Sequence, residues 1–266
     1  CYPIFADGPR IAGAELYYMP LQKENDYVIQ LQNIPEEIAR KAKFMLVSYP
    51  NNPTAAMAPE SFYHEVVAFA KKYDIIVLHD NAYSELVFDG QSCGSFLSIP
   101  GAMEVGVEFN SLSKTYGLAG ARIGFCVGNK EVVGMLKTLK SNMDYGMFLP
   151  IQAAAVEALT GNQAVVAETR AAYEHRRDVL CDGLIEAGWH MEKPAGTMFV
   201  WAPIPDSYQD SESFVADLLD KTGVLVTPGS AFGPSGEGYV RMALVQSEDT
   251  MKKIVEAVEV SGIFDK

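Results

Sequence analysis

Apolar and polar residues change their period several times along the chain, and the changes mark its elements. Phe44-Met-Leu-Val-Ser-Tyr and Ile75-Ile-Val-Leu-His-Asp80 are near-continuous apolar runs, the pattern of strands buried on both faces. Between them Pro59 opens a stretch in which Phe62, Val66, Phe69 and Tyr73 recur at helical spacing. Strand, helix and strand in that order predict a right-handed parallel βαβ unit. Two further extended segments, 105–109 and 122–127, flank a glycine-rich turn. Nearer the start, residues 14–21 alternate weakly and read as a strand, and residues 34–40 read as a short helix with Pro35 in its first turn.

Helical periodicity dominates the middle of the chain, over 130–143, from Pro150 to Leu159, and over 163–187, closed by Gly188. Met135, Leu136 and Leu139 on the first of these helices read as core. Strands are expected at 197–202, 224–227 and 239–244, with helices at 212–221 and 247–260. The fold class is therefore α/β: a mainly parallel sheet flanked by helices, followed by a smaller α+β part. The expected domains are a large one over 1–150 and a small one over 151–266.

Composition narrows the partners. The 266 residues suffice for a substantial core, and 48% hydrophobic with 21% charged residues is ordinary for a globular enzyme. A net charge of −13 argues against nucleic acid or an anionic membrane, and an anionic ligand needs a local basic site. No apolar run approaches the roughly 20 residues of a membrane span. Cys1, Cys93, Cys126 and Cys181 lack pairing or metal-ligand spacing, which suits thiols in a reducing cytoplasm. His64, His79, His175 and His190 show no zinc spacing, and His79 reads as a packed neighbour of Asp80.

Candidate chemistry gathers where the strands end. In open α/β sheets ligands bind beyond the carboxyl ends of the strands. Lys114, in Ser111-Leu-Ser113-Lys114, lies at the exit of one expected strand, with Arg122 eight residues on. Asn52 follows another in a Pro-Asn-Asn-Pro-Thr turn, and Asp80 and Tyr83 follow the third. Taken singly these are a solvated lysine, an Asn-Pro turn and a helix-capping aspartate. Their joint order calls for more.

That order resembles the fold-type I, class I/II aminotransferases, which use pyridoxal 5′-phosphate (PLP), and the likeness covers essentially the whole chain. It implies that Lys114 forms the Schiff base and that Ser111, Ser113 and Arg122 hold the phosphate. It further implies that Asp80 pairs with the protonated pyridine nitrogen, and that Asn52 and Tyr83 bond the ring oxygen. Arg241, in Tyr239-Val-Arg241, matches the arginine that grips the substrate carboxylate through two parallel bonds. Asn52 and Tyr2 then complete the substrate-binding set. A lysine nucleophile must be neutral, so burial or a nearby cation has to lower its pKa. Residue 55 is alanine where the family's Asn-Pro-Thr-Gly motif has glycine.

The resemblance implies an aminotransferase moving an amino group between an amino acid and a 2-oxo acid, in a cytoplasmic homodimer. Within the family it points to the bacterial group that includes LL-diaminopimelate, aspartate and alanine aminotransferases. Carbon–sulfur lyases and decarboxylases share the same cofactor residues. The start, Cys1-Tyr-Pro-Ile-Phe, has no initiator methionine and matches a segment internal to the family, so an N-terminal portion is expected outside this sequence. A catalytically silent scaffold is the reading if that portion is absent. A different class also fits some letters: Ser111-x-x-Lys114 with Lys221-Thr-Gly223 spells two motifs of penicillin-binding serine hydrolases. That chemistry wants its serine at a helix start, whereas the sequence places Ser111 after a strand and before glycines.

Overall fold

The computed structural model describes residues 2–264. In chain order its helices and strands are α1 (Ile4–Ile11), α2 (Glu36–Lys41), β1 (Phe44–Ser48), α3 (Glu60–Tyr73), β2 (Ile76–Asp80), α4 (Ala102–Val105) and β3 (Gly106–Ser111). Then come α5 (Leu112–Thr115), β4 (Gly124–Gly128), α6 (Lys130–Met143), α7 (Leu149–Thr160) and α8 (Ala164–Glu186). The last are β5 (Phe199–Pro203), α9 (Ser211–Thr222), β6 (Thr227–Pro228), β7 (Tyr239–Ala243) and α10 (Glu248–Ser261).

The chain divides into two compact units. One takes Val28–Pro50 and Met57–Arg170; the other takes the chain up to Tyr27, Asn51–Ala56 and the chain from Ala171 onward. The expected boundary at 150 falls inside α7, and the division itself falls within the 23-residue α8.

The first unit is built on a sheet of order β1-β2-β3-β4. β1, β2 and β3 run parallel, and β4 returns antiparallel along β3 with Ser111 opposite Gly124. β1 and β2 are joined by α3, which is N-capped by Pro59 and ends at Asp74 in the left-handed region. Its buried face is Phe62, Tyr63, Val66, Val67 and Ala70. Burying each of the larger side chains contributes roughly 1.5–3 kcal/mol. Their neighbours are the Tyr49 ring against Phe62 and the rings of His79 and Phe96 against Tyr63.

The second unit closes around a three-stranded antiparallel sheet of order β5-β7-β6. Its core joins Leu180 and Leu184 of α8, Trp189, Val200 of β5, Phe214 and Leu218 of α9, Val240 of β7, and Met251 and Val258 of α10. α9 is capped by Asp210, whose carboxylate accepts from the Ser213 N–H at 2.7 Å. Gly223, in the left-handed region at φ 72°, ends it.

Several expectations need correction. Residues 14–21 form no strand: no ladder partner pairs with them, and most of their side chains are exposed. The strand expected at 224–227 shrinks to Thr227–Pro228, because only that tip reaches β7. Pro35 is the N-cap of α2, one position ahead of the helix. Met135 and Leu139 are 70% and 59% exposed, so the apolar stripe of α6 is not core in this chain. Cys93 and Cys126 are half-buried free thiols and Cys181 is a buried one, while Cys1 lies outside the described residues. Among the described residues no helix is long and apolar enough to cross a membrane.

Candidate active site

In the first unit the chemistry sits on two neighbouring strand tips. β2 ends at Asp80, and the chain then turns so that the Asn81 N–H donates to the Phe109 carbonyl at 2.9 Å. Tyr83 is buried in that turn, and its carbonyl accepts from the Leu86 N–H at 2.9 Å. Arg170 braces Glu85, two residues beyond Tyr83, donating from Nε to its carbonyl and from Nη2 to its carboxylate, both at 3.0 Å. Asp80 accepts from the Ala82 N–H at 3.3 Å. Burial pushes the Asp80 carboxyl up, against that bond and the charge of His79. A carboxylate so placed gains from a cation brought next to it.

β3 ends one strand over. Ser111 keeps extended backbone, and its Oγ accepts from the Ser113 N–H at 3.1 Å, which turns the chain into the single turn of α5. Lys114, half-buried, stands on that turn. Gly117 ends it at φ 66°, a conformation that glycine adopts without a Cβ clash. The chain returns to β4 through Arg122, itself left-handed at φ 54°. Holding a non-glycine residue there costs on the order of 1–2 kcal/mol. The exposed Arg122 guanidinium donates from Nη1 to the Ala119 carbonyl at 2.8 Å. Pairing of Ser111 with Gly124 closes the loop, so Ser111, Ser113, Lys114 and Arg122 share one hairpin end.

The sequence reading placed Ser111 away from a helix start, and that is corrected: Ser111 is the N-cap of α5, which has only four residues. Lys221-Thr-Gly223 does fall at a helix end, with Gly223 as its cap.

The remaining predicted residues belong to the second unit. The turn after β1 is tied by the Thr54 N–H and hydroxyl, which both donate to Asn51 Oδ1, and by the Asn51 N–H to the Ala56 carbonyl at 2.9 Å. Asn52 is buried in it, ahead of a cis Asn52–Pro53 bond. Its Oδ1 accepts from Arg241 Nη1 at 2.9 Å. Arg241 lies on the central strand β7, between Trp201 and Thr227 in register. Its guanidinium stacks 4.2 Å from the Phe199 ring centroid and 4.7 Å from that of Phe232. These two aromatics were missed in the sequence, where Phe199 looks like any strand residue. They orient a planar donor fork suited to a carboxylate. Tyr2 is 51% exposed and packs edge-on against Phe5 at 5.9 Å.

One loop thus carries a lysine, two hydroxyls and a guanidinium, and the neighbouring strand tip carries a half-buried carboxylate. The model of the family "Aminotransferase class I and II" matches residues 1–258, and the chain belongs to that family. Over 255 residues it is 48% identical to an LL-diaminopimelate aminotransferase of Moorella thermoacetica, covering 96% of this chain and 65% of the relative. A protein of the same name from Syntrophobacter fumaroxidans is 47% identical, at 96% and 66% coverage. Among solved structures, apo BacF from Bacillus subtilis superposes with a TM-score of 0.93 at 38% identity, covering 97% of this chain and 66% of that one. A probable N-succinyldiaminopimelate aminotransferase from Thermus thermophilus gives 0.90 at 33% identity, covering 98% and 69%. The chain thus spans about two thirds of the length of these relatives.

Proposed function

We propose that the protein is a PLP-dependent aminotransferase in which Lys114 carries the cofactor. The observation that carries this reading is the pairing of adjacent strand tips, Asp80 closing β2 and the Ser111–Lys114 turn closing β3. The donor set fits the cofactor. Asp80, whose carboxyl burial destabilises in its charged form, gains a cationic partner in a protonated pyridine nitrogen. Ser111, Ser113 and Arg122 offer hydroxyls and a permanently charged fork to the phosphate. Asn52 and Tyr83 are assigned to the ring oxygen. Bound PLP supplies an electron sink that makes a substrate Cα–H acidic.

The rest of the chemistry falls to side chains of this chain. Arg241 binds the amino-acid carboxylate, already oriented by Asn52 Oδ1 and by the two phenylalanine rings. Lys114 Nζ would serve as the general base that accepts the substrate Cα proton and, as the conjugate acid, as the donor that hands it on to a different carbon to complete the amino transfer. Tyr2 is assigned to substrate contact. The substrates are an amino acid and a 2-oxo acid, and LL-diaminopimelate with 2-oxoglutarate is the pair to assay first, because two relatives carry that name. The reading extends to a cytoplasmic homodimer, as the family resemblance implies.

The test is an amino-donor screen with 2-oxoglutarate beside Arg241→Lys. An ammonium cannot give two parallel bonds, so the variant is expected to raise the KM for the amino acid at least tenfold, about 1.4 kcal/mol, with less effect on PLP binding. An unchanged KM in the variant would remove Arg241 from the substrate site.

A further inference from the structure

One buried charged cluster stands directly behind the two strand tips. His79 and Glu108 are register partners in the parallel pair β2–β3, and they are 0% and 3% exposed. His79 Nδ1 lies 3.1 Å from Glu108 Oε2, which also accepts from Ser95 Oγ at 2.9 Å and the Phe96 N–H at 2.8 Å. Glu108 Oε1 accepts from Asn110 Nδ2 at 2.8 Å. The other ring nitrogen of His79 is 3.4 Å from the Tyr63 hydroxyl on α3. An ionised carboxylate only accepts, so the His79 proton facing it sits on Nδ1.

Stability alone does not account for this arrangement. An apolar pair of similar volume holds two strands at least as firmly as a buried ion pair, and the same strands pair Leu78 with Val107 one position earlier. Directional bonds add a fixed register. Asp80 follows His79 immediately, and Ser111 follows Glu108 by three residues. The loop carrying Ser95 and Phe96 is tied to the same carboxylate.

We propose that Glu108 and His79 are positioning residues, a hydrogen-bonded clamp that fixes the β2 tip against the β3 tip and so sets Asp80 relative to the Ser111–Lys114 turn. The clamp rests on the reading of Asp80 and Lys114 as cofactor ligands.

It is tested by titrating PLP into the wild-type protein, Glu108→Gln and His79→Asn, following the visible band and its pH midpoint. Circular dichroism reports folding of each form. Glutamine keeps the size of Glu108 but brings one acceptor oxygen to four donors that a carboxylate serves with two. The clamp predicts folded variants that bind PLP about tenfold more weakly, with a shifted pH midpoint of the band. Should either variant fail to fold, Ser95→Ala decides, removing one donor and giving a smaller shift in the same direction. Wild-type affinity and midpoint in the folded variants would overturn the clamp while leaving the cofactor reading intact. A wild-type protein that forms no visible band would overturn both.

Discussion

Ala55 has φ 59°, a conformation in which its Cβ crowds the following carbonyl. That clash costs roughly 1–2 kcal/mol, and the family's glycine at this place avoids it. Glycine also frees the unfolded chain, which offsets about 0.5–1 kcal/mol. Ala55→Gly is therefore expected to stabilise the protein by about 0.5–1 kcal/mol, read as a higher Tm. A fall in Tm would mean that packing of the Ala55 methyl outweighs the backbone. Gly124 has the opposite constraint: a Cβ there would lie 2.6 Å from the Asn110 carbonyl oxygen, on the strand that leads to Ser111. Gly124→Ala is expected to cost about 1–3 kcal/mol in denaturant unfolding. Glu108 titrates in a definite direction. Burial pushes its carboxyl up, but hydrogen bonds from His79 and Ser95 and the charge of His79 outweigh it, lowering it from 4.5 to about 2. With a depressed folded-state pKa, its stabilisation is complete above about pH 4.5 and is lost as pH falls toward 2. The stability gap between wild type and Glu108→Gln should shrink over that window by up to about 3 kcal/mol. A gap that stayed constant with pH would contradict the assignment.

Elements with their own strong period were legible in the sequence. β1 and β2 read as apolar runs, α3 as a helical repeat behind Pro59, and α6 was placed over the residues it occupies. α6 begins cleanly because Asn129 Oδ1 accepts from the Glu131 and Val132 N–H groups at 3.0 and 3.2 Å. Asn129→Ala is expected to cost about 1 kcal/mol, visible in thermal unfolding. No loss would mean that the α6 N-terminus is satisfied by other partners. What could not be read are elements decided by a distant partner. Residues 14–21 alternate but find no ladder, whereas Thr227 and Pro228 are strand only because β7 lies beside them. α1 was missed because an internal proline, Pro9, interrupts its pattern.

For the whole molecule, the site was legible where motifs sit at strand ends and illegible where it depends on long-range contacts. Lys114, Asp80 and Arg122 stood out because polar residues closed or followed apolar runs. The bond from Arg241 to Asn52 joins residues 189 apart and was not read from the sequence, where the resemblance gave the two residues separate roles. Glu108 gave one signal, a charge inside an extended apolar segment, but its partners include His79 on the neighbouring strand and the Ser95–Phe96 loop, neither adjacent to it in sequence. Cofactor attachment at Lys114 is the claim on which the rest depends. It is tested most directly by the visible absorption of the protein with added PLP, before and after borohydride, beside Lys114→Ala. A visible band in the wild type that borohydride removes, with covalent retention of the cofactor, and no such band in the variant is the expected result. A folded wild-type protein without that band, or a variant that keeps it, would contradict the account.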